Sequence, residues 1–197
     1  MTTALVVIDL QEAMRDYRDA GHPWAVADAA ATAGRMVAAF RAAGQAVVHV
    51  HHHANDPADE FHPDNPLCAA MSEVAPLAGE AVVVKHGSSG FIGTGLEKLL
   101  RDAGHDRLVV IGGEANMCVE STTRMAGNLG FKTTVVADAL INFERTRRDG
   151  GVIAARDVLE MSLSNLRAFA RIADSAEVLA EVEGISGGPQ EQISPPR

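Results

Sequence analysis

Cysteine is scarce in this chain. Cys68 and Cys118 are the only two among 197 residues, too few for a disulfide framework. Long apolar runs are missing as well, and none approaches the roughly 20 residues that a membrane-crossing helix needs. The opening, MTTALVVIDLQ, has neither the basic flank nor the extended apolar stretch of a secretion signal. A cytoplasmic protein with two free thiols is therefore expected, with no membrane partner. Positive charge is short too: 17 Lys and Arg against 26 Asp and Glu leave a net charge of −9. There is no basic stripe with interleaved aromatics, so nucleic acid is not an expected partner. No internal repeat, no GxxxxGK[ST] phosphate loop, no GxGxxG after the first strand and no HEXXH pair occurs.

What is present fits one globular domain. Hydrophobic residues at 47% and charged residues at 22% rule out wholesale disorder, and the length is enough to bury a sizeable core. Short β-rich runs alternate with helical stripes. Ala4–Ile8 reads as a strand buried on both faces. Val26, Ala30, Ala33, Val37 and Phe40 repeat at helical spacing before Gly44. Ala46–Val50 and Ala81–Val84 read as the second and third strands, separated by a long polar, Pro-rich segment from His51 to Glu80. A loop of that length is usually functional or partly structured.

Thr94 with Glu97 has the pattern of a capping box, opening a helix over Leu96, Leu99, Leu100 and Ala103. Arg107–Ile111 is a fourth strand, Val119 to Leu129 a helix, and Lys132–Ala137 a fifth strand. A stripe from Val152 to Leu166 marks another helix. Ala168–Ile172 reads as a sixth strand, and Asp174 as the cap of a last helix over Ala176–Glu181. The tail from Gly184, GISGGPQEQISPPR, has loop composition and is expected to be mobile, which leaves 1–183 as the domain. Alternating strands and helices imply right-handed crossovers and a three-layer α-β-α fold, Rossmann-like, with a six-stranded, mostly parallel sheet. Ligands in such sheets bind beyond the carboxyl ends of the strands, where strand order reverses.

Three reactive side chains stand at strand ends. Asp9 follows the first strand, in VVIDLQ; a strand-end Asp also serves simply to cap a turn. Lys85 closes the third strand, in VVVKHGSSGFIGT; taken alone, a lysine there can snorkel to solvent. Cys118 follows the fourth strand after the Gly112–Gly113 elbow, in IGGEANMCVE, at or near the first turn of the next helix. Helix N–H groups favour a thiolate there, although most lone cysteines are buried structural residues. Together an acid, a base and a thiol supply the parts for nucleophilic catalysis.

At these residues the sequence resembles the isochorismatase-like cysteine hydrolases, which include nicotinamidases, N-carbamoylsarcosine amidohydrolases, ureidoacrylate amidohydrolases and isochorismatases. The matching stretches are ALVVIDLQ, VVVKHGSSGFIGTGLEKLL and LVVIGGEANMCVESTTRMAGNLGFKTTVVADA, covering Ala4 to about Asp138 in order and spacing. The resemblance implies a catalytic triad of Asp9, Lys85 and Cys118. It also implies a cis peptide between Gly113 and Glu114, and an oxyanion hole from the backbone N–H groups of Glu114 and Cys118. Ala115 and Met117 depart from the family pattern, which commonly has Thr at the first position and His or a small apolar residue at the second. The Asp-x-His-Pro arrangement of the nicotinamidase metal site is missing from His51–Asp56, HHHAND, so neither metal nor cofactor is expected.

The expected reaction is hydrolysis of a C–N bond in a small amide or ureide, with Lys85 favouring the Cys118 thiolate and Asp9 moving the proton. Candidate substrate walls are Gln11, Tyr17 and Trp24, then His51, His53 and Phe61, then Phe91 and Phe143. Some of these read equally well as core or interface residues. The resemblance also implies a homo-oligomer. One alternative is vinyl-ether hydrolysis of the isochorismatase type, whose enzymes generally lack the cysteine. Another is a ligand-binding or redox-sensing domain, for which Cys68 is the sole candidate resolving thiol.

Overall fold

A computed structural model gives the structure of residues 2–186. Eight strands occur among them: β1 (Thr2–Ile8), β2 (Ala46–His52), β3 (Ala81–Lys85), β4 (His105–Gly113), β5 (Lys132–Ile141), β6 (Arg145–Thr146), β7 (Val152–Ile153) and β8 (Ala170–Ala173). Six of these make one sheet in the order β3-β2-β1-β4-β5-β8, and β6 pairs with β7 in a separate hairpin. Every neighbour pair in the large sheet is parallel.

The helices are α1 (Glu12–Asp19), α2 (Ala29–Ala42), α3 (Leu96–Asp102), α4 (Glu120–Asn128), α5 (Ala155–Leu166) and α6 (Ser175–Ser186). Strand parity divides the core in two. Leu5 and Val7 pack with Met14, Met36, Phe40 and Val178, from α1, α2 and α6. Ala4, Val6 and Ile8 pack with Leu96, Leu100, Ala126 and Leu159, from α3, α4 and α5. Helices thus cover both faces, which is why β1 is an unbroken apolar run.

The chain builds outward from β1 through β2 to β3, then crosses to β4 on the other side of β1. Strand order therefore reverses between β1 and β4, and a crevice opens there at the carboxyl ends.

Several elements differ from the sequence reading. Helix α1 was not expected: of its eight residues only Ala13 and Met14 are buried, too few to print a stripe. The His51–Glu80 segment carries two 3₁₀ turns, Pro66–Cys68 and Ser72–Val74. Val152 belongs to the β6–β7 hairpin, not to α5. The Thr94 hydroxyl accepts the Leu96 N–H at 3.2 Å and donates to the Gly90 carbonyl at 2.5 Å, whereas Glu97 binds Arg101 at 2.8 Å, so no capping box forms. Strand β5 runs on to Ile141, with a register shift between Val110 and Gly112 on its β4 partner. Helix α6 continues to Ser186, past the proposed domain boundary, and the rest of the tail lies outside the described residues.

Candidate active site

Asp9 sits immediately after β1 in the left-handed region, with φ of 49°, a conformation that Asp tolerates better than most residues. Its N–H donates to the Val50 carbonyl at 2.8 Å, and only 1% of the residue is exposed. Lys85 ends β3, and β2 separates that strand from β1. Two strand spacings are roughly 10 Å, so only a long side chain bridges them. The Lys85 Nζ lies 2.7 Å from Asp9 Oδ2. It also donates to Cys118 Sγ at 3.2 Å and to the Gly87 carbonyl at 3.1 Å.

Cys118 is delivered by a tight elbow. Gly112 has φ of 134°, and a Cβ there would fall on the Ile8 carbonyl. A Cβ at Gly113 would strike the Met14 thioether. The Gly113–Glu114 peptide is cis. A π turn, Ala115–Val119, follows and runs directly into α4, so Cys118 lies just before the α-helix rather than in its first turn. The Met117 and Val119 N–H groups donate to the Glu114 carbonyl at 3.0 and 3.2 Å.

Three further side chains brace this turn, and only Thr122 lies within a quoted motif. Arg145 of β6 forms an ion pair with the Glu114 carboxylate. Ser162 of α5 donates to Glu120 at 2.7 Å and to the Ala115 carbonyl at 3.1 Å. Thr122 of α4 accepts the Gly90 N–H at 2.9 Å, tying the loop after Lys85 to the nucleophile helix. Sequence reasoning missed all three because their partners are distant in the chain and no spacing links them.

Burial drives the Asp9 carboxyl up from the usual carboxylate range to about 6, against the opposing pull of Lys85, the Cys118 thiol and the His52 N–H. Burial also pushes the Cys118 thiol up to about 12; Asp9 adds to the rise and Lys85 opposes it. Lys85 thus favours the thiolate, as expected, but burial and Asp9 outweigh it. The resting cluster is an Asp9–Lys85 ion pair beside a neutral thiol, because burial disfavours the thiolate and Asp9 offsets what the lysine offers the sulfur. Such a cluster can take the thiol proton onto Asp9 while sulfur attacks an electrophile.

The anticipated substrate walls divide. Gln11 is fully buried and bonded to backbone at His52 and Cys68, so its amide is not available to line a pocket. Trp24 is core: its Nε1 donates to the Met14 carbonyl at 3.2 Å, and Arg18 lies over its ring. Phe91 is core too, stacked on Phe131 at 5.8 Å. Phe143 is buried in the opposite core, edge-on to Tyr17 at 4.8 Å. Tyr17 is exposed and stacks on His22 at 4.0 Å. Phe61 is partly buried and touches the His52 ring edge-on at 5.5 Å.

The three consecutive histidines do not act together. His51 points to the face of β2 that holds His49, at 6.2 Å. Burial, with His49 and His53 nearby, lowers its pKa to about 4. His53 lies past β2, its N–H bonded to the Lys85 carbonyl at 2.9 Å. His52, not among the expected walls, is the one that pairs in register with Lys85, as the two-residue period of a strand dictates. Beside the π turn a cavity of about 330 Å³ is lined by Asn116, Arg145, Ile153, Val158 and Met161, among others.

A parallel sheet with its reactive groups gathered at the strand-order reversal defines an α/β enzyme domain. Residues 3–177 match the isochorismatase domain, and the chain belongs to the isochorismatase family of hydrolases. It is 31% identical over 166 residues to YrdC of Bacillus subtilis, a member of that family, covering 83% of this chain and 86% of the other. A crystal structure of an isochorismatase-family protein from Chromobacterium violaceum superposes with a TM-score of 0.88 at 37% identity, covering 93% and 94% of the two chains. A shorter match, 38% identical over 76 residues, joins it to maleamate amidohydrolase of Pseudomonas putida, over 39% of this chain and 36% of that protein.

Proposed function

We propose that this hydrolase cleaves a C–N bond of a small amide or ureide through a thioester on Cys118. The observation that carries the reading is the position of Lys85 Nζ, 2.7 Å from Asp9 and 3.2 Å from the Cys118 sulfur in a buried site. The likeness to an amidohydrolase supports the substrate class.

In the first half-reaction Asp9 accepts the thiol proton as sulfur adds to the substrate carbonyl carbon. The oxyanion is held by the N–H groups of Glu114 and Cys118. Collapse breaks the C–N bond, and Asp9 returns its proton to the leaving nitrogen, which departs as ammonia or an amine. The acyl group remains as a Cys118 thioester. In the second half-reaction water adds to the thioester and gives a proton to Asp9. The C–S bond breaks, the acid leaves, and the proton returns to sulfur. Lys85 holds Asp9 ionised and compensates negative charge on sulfur at each crossing. No cofactor enters the scheme.

The test is an ammonia-release screen over primary amides and ureides, run with wild type and Cys118→Ala, with intact-mass detection of the acyl-enzyme. Turnover and an acyl adduct in wild type alone are expected. Ammonia release that survives in Cys118→Ala, or no turnover across the panel, would overturn the proposal.

A further inference from the structure

Gln11 stands two residues past the Asp9 carboxylate and is 0% exposed. Its side chain grips both backbone groups of one residue. Gln11 Oε1 accepts the His52 N–H at 2.9 Å, and Nε2 donates to the His52 carbonyl at 3.0 Å. The same Nε2 donates to the Cys68 carbonyl at 2.8 Å. The backbone extends the seam: Gln11 bridges Ala70, and the Met71 and Glu12 N–H groups donate to the Leu10 and Ala69 carbonyls at 2.9 and 2.8 Å.

This amide thus completes the ladder where the β1–β2 backbone pairing ends. The pairing stops at Ile8↔Val50, and the Asp9 N–H still reaches the Val50 carbonyl. Beyond that point the left-handed turn at Asp9 takes the backbone away, and Gln11 supplies a side chain in place of a strand. What it holds is functional. His52 closes β2 and pairs in register with Lys85, whose Nζ meets Asp9 Oδ2 at 2.7 Å.

We propose that Gln11 is a positioning residue: it fixes the His52 peptide group, and through its pairing with β3 the place of the Lys85 ammonium between Asp9 and Cys118. Loss of the amide leaves buried backbone groups without partners and lets the end of β2 shift. Small displacements of a proton-transfer group are costly in rate. The groups that act on Asp9 are Lys85 from β3, Cys118 from the π turn and His52 from β2. The His52 imidazole is held below its ordinary pKa by burial and by Lys85.

This inference rests on the amidohydrolase reading for its effect on turnover, but one measurement is independent of any substrate. Alkylation of Cys118 by iodoacetamide, quantified at the Cys118 peptide, is followed against pH on both sides of pH 6, where Asp9 ionises. In wild type the rate is expected to climb through that pH. In Gln11→Met, and in Gln11→Asn with its amide one methylene short, the limb is expected to move up by about half a pH unit or more. With the amide found in the screen, kcat falls about tenfold and KM changes less than about twofold.

A lower melting temperature with an unmoved limb and unchanged kcat in both variants would make Gln11 a brace only and overturn the proposal. A rise in KM alone would return it to the pocket wall and also overturn it. A wild-type profile without the limb would uncouple Asp9 from the sulfur and overturn it at its root. Failure of the amide screen leaves the alkylation result standing, so the two readings fail separately.

Discussion

The Lys85 ammonium reaches Asp9 from two strands away and meets its Oδ2 at 2.7 Å, with the lysine 0% and the aspartate 1% exposed at the side chain. A buried pair of this kind contributes little net stability, because desolvation of both charges offsets their attraction. Breaking it is a different matter, since the surviving charge stays buried and alone. The pair is better understood as the machinery that keeps an aspartate ionised beside a thiol.

Lys85→Met should therefore act mainly through Asp9. Without the ammonium, the strongest pull against burial is gone and the Asp9 carboxyl rises beyond its value of about 6, so less of it is ionised at neutral pH to serve as a base. Turnover is expected to fall by about 10³ or more, and adding Asp9→Asn should cost little further because the residues act as a unit. Alkylation of Cys118 slows in parallel. Superimposable alkylation profiles for wild type and Lys85→Met would refute the assignment of Lys85.

The pH profile of kcat/KM follows from the same cluster. Asp9 must be ionised in the free enzyme, and its carboxyl titrates at about 6. Activity is therefore expected to fall as pH drops through about 6. A thiolate-governed enzyme would instead gain activity near the ordinary thiol pKa of about 8.5. No such rise is expected here, because the Cys118 thiol is pushed up to about 12.

Gly112→Ala tests the elbow. The new Cβ would fall on the Ile8 carbonyl, at a φ of 134° that side chains rarely adopt. The backbones of β1 and β4 would have to separate where they carry Asp9 and Cys118. A loss of melting temperature together with loss of turnover is expected; a fully active, equally stable variant would contradict the geometry.

Glu80 anchors the entry to β3. Its carboxylate accepts from Arg41 at 2.7 and 2.8 Å, from the Leu77 N–H at 2.9 Å, and lies 2.9 Å from His49 Nε2. The Arg41 hydrogen bonds, first among several causes, lower its pKa from 4.5 to about 2. A carboxyl held low in the folded state adds stability that is present above about 4.5 and disappears as pH falls through about 2. Glu80→Gln should cost on the order of 2 kcal/mol at neutral pH, and the difference from wild type should shrink on acidification. Chemical denaturation at neutral and at acidic pH measures both; a pH-independent difference would sink the argument.

Chelation tests the histidine run. His51 and His52 face opposite sides of β2, and His53 is engaged with the β3 backbone. Treatment with EDTA is expected to leave turnover unchanged. Stoichiometric zinc that departs together with the activity would refute this.

Much of this protein was legible in the sequence because local rules govern it. The doubly covered strands print as apolar runs, as Ala4–Ile8 does, and the elbow needs Gly112 because two backbones meet there. Reactive residues at strand ends follow from the parallel topology, which is why Asp9, Lys85 and Cys118 stood out. Tertiary structure alone decided three other things. It placed Gln11, Trp24 and Phe91 in buried, bonded positions, because a side chain's partner, not its type, determines whether it is free to meet a ligand. It chose His52 from three identical neighbours, since strand parity fixes direction only once the boundaries of β2 are known. And it left the Cys118 sulfur a thiol, because the charge state depends on burial and on the distances to Asp9 and Lys85 together, and no spacing along the chain encodes either.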